Sequence, residues 1–167
     1  QAADKHNWPL QRGFDRFFGT IPGGGSFFTP HGLTSGNNII QPQQPFYYTE
    51  AISDSAVSFI RENQNNKKKQ PFFMYVAYTA PHWPLHALEK DIAKYKGKYD
   101  KGWDVLREER FKRMKKMGVI PENTVYPERH EDAAAWYTIP KRLRPELARR
   151  MEVYAAQIDN IDRKSVV

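Results

Sequence analysis

The apolar positions set out the chain's elements. From Thr49 onward, Ile52, Ala56, Phe59 and Ile60 recur at helical spacing until the polar stretch NQNNKKKQ interrupts them. This predicts a helix over about 49–63 with Thr49 as its N-cap. At Pro71 the pattern changes. Phe72 to Tyr78, within PFFMYVAYTAP, is apolar on both faces and rich in aromatic residues, which predicts a buried strand over 71–78, central in a parallel sheet. The segment from Glu89 to Met117 is charged and reads as helical in two parts around Gly97 and Gly102, with Trp103, Leu106, Arg110 and Met114 on one face. Residues 118–140 form a Pro-punctuated connector. In the last helix, over 145–163, Leu147, Met151, Tyr154, Ile158 and Ile161 form a stripe.

Ahead of these elements, Trp8 to Pro45 is rich in Gly, Pro, Asn and aromatic residues, including IPGGGSFFTP, and reads as extended, aromatic-anchored loops. The chain divides into a loop region over 1–48, a helix, strand and loop over 49–87, a charged helical insertion with its connector over 88–144, and a helix over 145–167. This is an α/β pattern with few strands, dominated by helices and long loops. A lone strand cannot satisfy its own backbone groups, so unless strands lie among the loops the rest of the sheet is expected outside this chain.

With 40% hydrophobic and 14% aromatic residues, the 167-residue chain cannot be a wholly disordered polymer. Its net charge of +7 suits a nucleic acid, an acidic surface or an anionic substrate without choosing among them. The absence of cysteine removes disulfides, thiolate metal sites and cysteine nucleophiles from this stretch. No apolar run is long enough to suggest a membrane partner, and the N-terminus has no secretory h-region. The first residue, Gln1, fits a chain cut from something longer.

The most informative segment is TAPHWPLHA, residues 79–87, directly after the predicted strand. Ligands of open α/β sheets sit at the carboxyl ends of strands, where His82 falls. Pro81 and Pro84 flank it, and a histidine held there can donate to an anion or pass a proton to a leaving group. His86, one short turn further on, could support the site from behind but reads more readily as solvent-facing, and His6, His31 and His130 read as loop residues. Ser26 ends a GGGS turn that can present backbone N–H groups to an anion, or simply let Phe27 and Phe28 pack. Lys67, Lys68 and Lys69 read as a solvated loop rather than a nucleic-acid site, and Asp159 and Asp162 as the polar side of the last helix.

YVAYTAPHWPLHA resembles the arylsulfatase family, as do GFDRFFGTIPGGGSFF before it, DIAKYKGKYDKGWDVLREERFKRMKKMG after it and the closing MEVYAAQIDNID, in matching order and spacing from about Trp8 to Asp162. The resemblance implies an alkaline-phosphatase-like α/β/α sandwich, hydrolysis of a sulfate-ester small molecule or sulfated glycan, and a divalent cation, usually calcium. It also implies a formylglycine nucleophile made from the first residue of C/S-x-P-S-R, and a secreted, periplasmic or lysosomal setting. In this family the histidine matching His82 contacts the sulfate and is a candidate general acid; from Ser26 only a substrate contact is suggested.

This sequence contains no C/S-x-P-S-R, G-K-W-H or S-D-N/H-G, and its final RKSVV departs from the family's usual continuation. No metal ligand is therefore assigned within the chain, and by itself it is expected to be an inactive segment of a sulfatase catalytic domain. The alternative is a basic polyanion-binding module without catalysis.

Overall fold

A computed structural model describes residues 4–65 and 70–162. Four α-helices lie among them: α1 (Tyr48–Asn65), α2 (Glu89–Ile92), α3 (Trp103–Lys116) and α4 (Arg144–Asp162). The three strands, β1 (Phe18–Thr20), β2 (Leu33–Ser35) and β3 (Asn38–Ile39), form one antiparallel sheet in the order β1-β2-β3.

This sheet corrects the expectation of uninterrupted loops over 8–45. Its strands have two or three residues each, too short for alternation to register. The two-residue turn Gly36–Asn37 closes the β2–β3 hairpin, with Ser35 opposite Asn38 and Thr34 opposite Ile39. Gly36 has φ +58°, a left-handed conformation that glycine adopts without a Cβ penalty. The Thr20 amide donates to Tyr48 Oη at 2.8 Å, tying β1 to the start of α1. The buried cluster beside this junction consists of Phe27, Leu33, Tyr47, Tyr48, Ile52 and Ala80.

Helix α1 agrees closely with the predicted 49–63 span, but Thr49 lies inside its first turn rather than at the cap. Ahead of it, the Tyr48 N–H donates to the Phe27 carbonyl at 2.8 Å, so a backbone carbonyl takes one of the amides left open at a helix start.

The predicted buried strand over 71–78 is not formed. Residues 71–79 have no ladder partner among the described residues, and Phe73 and Tyr75 are 79% and 74% exposed. The apolar run was legible, but a strand requires a neighbour to accept and donate its backbone hydrogen bonds, and no described strand lies alongside.

The predicted apolar stripe of α4 packs only in part: Ile161 lies against the core cluster, and Leu147 and Met151 are half-buried. Ala148, Glu152, Ala155, Ala156, Gln157 and Asn160 are buried, whereas Tyr154 and Ile158 are exposed. The buried side is partly polar because it meets charged neighbours. Asp91 of α2, only 2% exposed, accepts from Asn160 Nδ2 at 2.8 Å and pairs with Lys94 at 3.0 Å. Lys94 also bonds Asp159. Burial pushes the Asp91 carboxyl up, but the Asn160 amide and the Lys94 ammonium outweigh it and hold it below the ordinary carboxylate value.

The two-part reading of 89–117 holds: α2 runs into a short 3-10 turn, Ala93–Tyr95, and α3 starts after Gly102. The connector is fastened to α3. Trp103 Nε1 donates to the Ala134 carbonyl at 2.9 Å, the Trp136 amide to Asp104 at 2.7 Å, and Arg129 pairs with Asp104 at 2.8 Å. The Trp136 amide, reinforced by Arg129, holds the Asp104 carboxyl below its usual range.

Candidate active site

The candidate site is a turn held at both ends by the aromatic core. On its entering side, Ala80 is buried in the core cluster and Tyr78 Oη shares a 2.8 Å hydrogen bond with Ser53 Oγ of α1. On its leaving side, Tyr47 Oη donates to the His86 carbonyl at 3.0 Å and Leu88 packs against the same cluster. Burial raises the Tyr47 phenol above its ordinary pKa, which keeps the donated hydrogen in place. Between these anchors the His82 amide closes the turn onto the Thr79 carbonyl at 3.0 Å.

His82 is exposed at the crest of this turn. Its Nδ1 lies 2.9 Å from the Trp83 carbonyl oxygen, which can only accept, so Nδ1 carries a hydrogen. Nε2 has no protein partner among the described residues and is the nitrogen available for chemistry. In the neutral ring it is an acceptor. In the imidazolium it is a donor, and Nδ1–H stays with the Trp83 carbonyl in either state. Trp83 is itself 61% exposed, with the Arg150 guanidinium 5.9 Å from the centre of its ring.

Ser26 occupies a neighbouring loop. Its Oγ accepts from the Phe28 and Thr29 amides at 3.2 and 3.1 Å, a local turn that leaves the hydroxyl hydrogen free to donate. Among the described residues no hydrogen bond joins Ser26 to His82. Their two loops meet through Phe27, whose amide donates to His86 Nδ1 at 3.3 Å. His86 is therefore half-buried among aromatic rings rather than facing solvent. Its partner lies 59 residues away, and no local signal in the sequence could have paired them.

The remaining histidines stay peripheral. His6 pairs with Asp4 at 2.7 Å, the His130 ring accepts from the Asp132 amide at 3.2 Å, and His31 lines a shallow groove with Pro30 and Pro42. Lys67, Lys68 and Lys69 lie outside the described residues. On α3 and α4 much of the positive charge is locally compensated: Lys112 pairs with Glu108, Arg149 with Glu89 and Glu152, and Arg150 with Glu146. Among the described residues no three His, Asp or Glu side chains converge as metal ligands.

A family model described as Sulfatase matches residues 1–164. The chain belongs to the sulfatase family. It is 34% identical over 169 residues to an uncharacterized sulfatase of Schizosaccharomyces pombe, covering 93% of this chain and 30% of that protein. With an arylsulfatase of Klebsiella aerogenes it shares 32% identity over 166 residues, or 92% of this chain and 35% of the relative. An arylsulfatase J of Mus musculus matches 53% of the chain at 30% identity, over 16% of its own length. The chain thus spans about a third of the length of the first two relatives. The sulfatase domain has an alkaline-phosphatase-like fold, and the four helices and small antiparallel sheet make up a partial α/β arrangement of that class.

Proposed function

We propose that the whole protein hydrolyses sulfate monoesters as an arylsulfatase and that His82 is this chain's contribution to the reaction. The observation that carries the proposal is the ring orientation of His82. Nδ1–H is committed to the Trp83 carbonyl and Nε2 is left free on an exposed turn anchored at both ends. With Nε2 protonated, that nitrogen donates to a sulfate oxygen or to the ester oxygen. As the S–O bond breaks, the ester oxygen takes the Nε2 proton and departs as a neutral alcohol or phenol, and His82 is left neutral with Nδ1–H still bonded to Trp83.

The attacking group and a calcium site are supplied, in this reading, by residues outside this chain. Formylglycine would supply the nucleophile for sulfur, and calcium would offset charge on the sulfate oxygens. Ser26 is a secondary candidate, able to donate its hydroxyl hydrogen to the substrate from the adjoining loop.

His82→Ala in the whole protein tests the assignment. General-acid catalysis is worth ~10²–10⁴-fold, and its loss should hurt most where the leaving oxygen is basic. The expected result is a severe fall in kcat for phenyl sulfate and a smaller one for 4-nitrophenyl sulfate. Equal falls for both esters would remove the general-acid role, and an unchanged rate would remove His82 from the site.

A further inference from the structure

We infer that His86 is a positioning residue for this reaction: its Nδ1 acts as an obligate acceptor that sets the Ser26 loop against the His82 loop. A backbone amide can only donate, so the 3.3 Å contact from the Phe27 N–H requires a lone pair on Nδ1 and places the ring hydrogen on Nε2. This is the opposite tautomer from that of His82, four residues earlier, whose Nδ1 holds the hydrogen.

Everything around the His86 ring reinforces this placement. Phe27 meets it edge-on, with centroids 6.0 Å apart and planes at 89°, and Phe28 lies 5.6 Å away at 39°. Phe27 is itself fully engaged, because its carbonyl receives the first amide of α1 while its side chain is buried in the core. Of the three glycines that lead into Ser26, Gly23 is held through its carbonyl, which accepts from Thr20 Oγ1 at 3.0 Å, whereas Gly24 and Gly25 provide no comparable anchor. A Cβ built on Gly23, Gly24 or Gly25 would meet nothing within 4 Å, so this stretch is open on its own side. Beyond the Gly23 carbonyl, the hold on Ser26 comes from its C-terminal side, through Phe27 and the His86 nitrogen. The same histidine fixes the leaving end of the His82 turn through its carbonyl. One residue therefore holds both candidate substrate contacts in register.

The inference rests on sulfate-ester hydrolysis at His82 only for its kinetic readout. In the whole protein, His86→Leu keeps the bulk and removes the acceptor, whereas His86→Asn places an amide oxygen close to where Nδ1 lies. A misplacement near 1 Å costs ~10²-fold in rate, so His86→Leu should lower kcat/KM for 4-nitrophenyl sulfate by ~10–100-fold and His86→Asn should restore most of it. Independently of turnover, hydrogen exchange at the Phe27 amide should accelerate in His86→Leu and not in His86→Asn, and nitrogen shifts of the wild-type ring should place its hydrogen on Nε2. A hydrogen on Nδ1, or equal Phe27 exchange in the two variants, would overturn the inference. Asn-rescued exchange in a protein that turns over no sulfate ester would uphold the loop clamp and refute the proposed activity instead.

Discussion

Gly102 lies against the indole of Trp136 so closely that a Cβ on it would fall 2.1 Å from the Trp136 Cγ. The glycine also has φ +84°, a conformation in which an L side chain is strained. Gly102→Ala should therefore combine left-handed strain with overpacking against a ring and cost at least ~2 kcal/mol. Gly118, at φ +68° with nothing within 4 Å of a built Cβ, is the control, since Gly118→Ala adds the strain alone. Urea unfolding of the two variants should rank Gly102→Ala well below Gly118→Ala in midpoint; equal midpoints would show that the indole moves aside freely.

Asp91 should make stability acid-sensitive. Because its folded pKa lies below the ordinary 3.8, its contribution is present above that value and is lost as the pH falls below it, through the folded pKa. Asp91→Ala takes the 2.8 Å acceptor from the buried Asn160 amide, leaving it the longer 3.3 Å bond to Glu50, and removes one of the two carboxylates on Lys94. We expect a loss of ~1–3 kcal/mol at pH 7, with the gap to wild type narrowing below pH ~4. A gap that stays constant from pH 7 to 3 would mean that the carboxylate charge contributes nothing.

The isolated 167-residue chain is expected to give no calcium-dependent turnover of an aryl sulfate and to self-associate. Groups that act as a unit are strongly non-additive, so one general acid does not leave a proportionate share of the rate. Phe72, Phe73, Tyr75 and Val76 are exposed together on a segment with no ladder partner, the kind of apolar surface that drives association. Sedimentation of a monodisperse monomer would contradict the second expectation, and hydrolysis that His82→Ala abolishes would contradict the first.

The longer helices were legible because their signals are local. Ile52, Phe59 and Ile60 mark α1 by period, and α3 begins where Gly102 breaks the charged segment. What escaped depends on partners distant in sequence. Phe72 to Tyr78 has the composition of a strand but no described neighbour to make it one. The stripe from Leu147 to Ile161 has the right period, yet Tyr154 and Ile158 stay exposed, because Asp91 and Lys94 also draw the Asn160 side of α4 inward. The sheet was missed for a different reason: Leu33–Ser35 and Asn38–Ile39 are shorter than any periodicity can register, and only the Gly36–Asn37 turn betrayed them. At the site, His82 could be found from its motif alone, whereas His86 acquires a role only once folding brings Phe27 to it.

The indoles of Trp103 and Trp136 stand 4.7 Å apart at 76°, one at the start of α3 and the other in the connector. Two transition dipoles this close couple, so the pair carries a chiral optical signal that neither ring has alone. That signal reports on docking of the connector separately from the helical content of the chain. A state in which the connector swings free while α3 stays helical would lose the coupled indole band and keep its far-ultraviolet spectrum, so the protein carries a built-in gauge for a motion that would otherwise need an attached label.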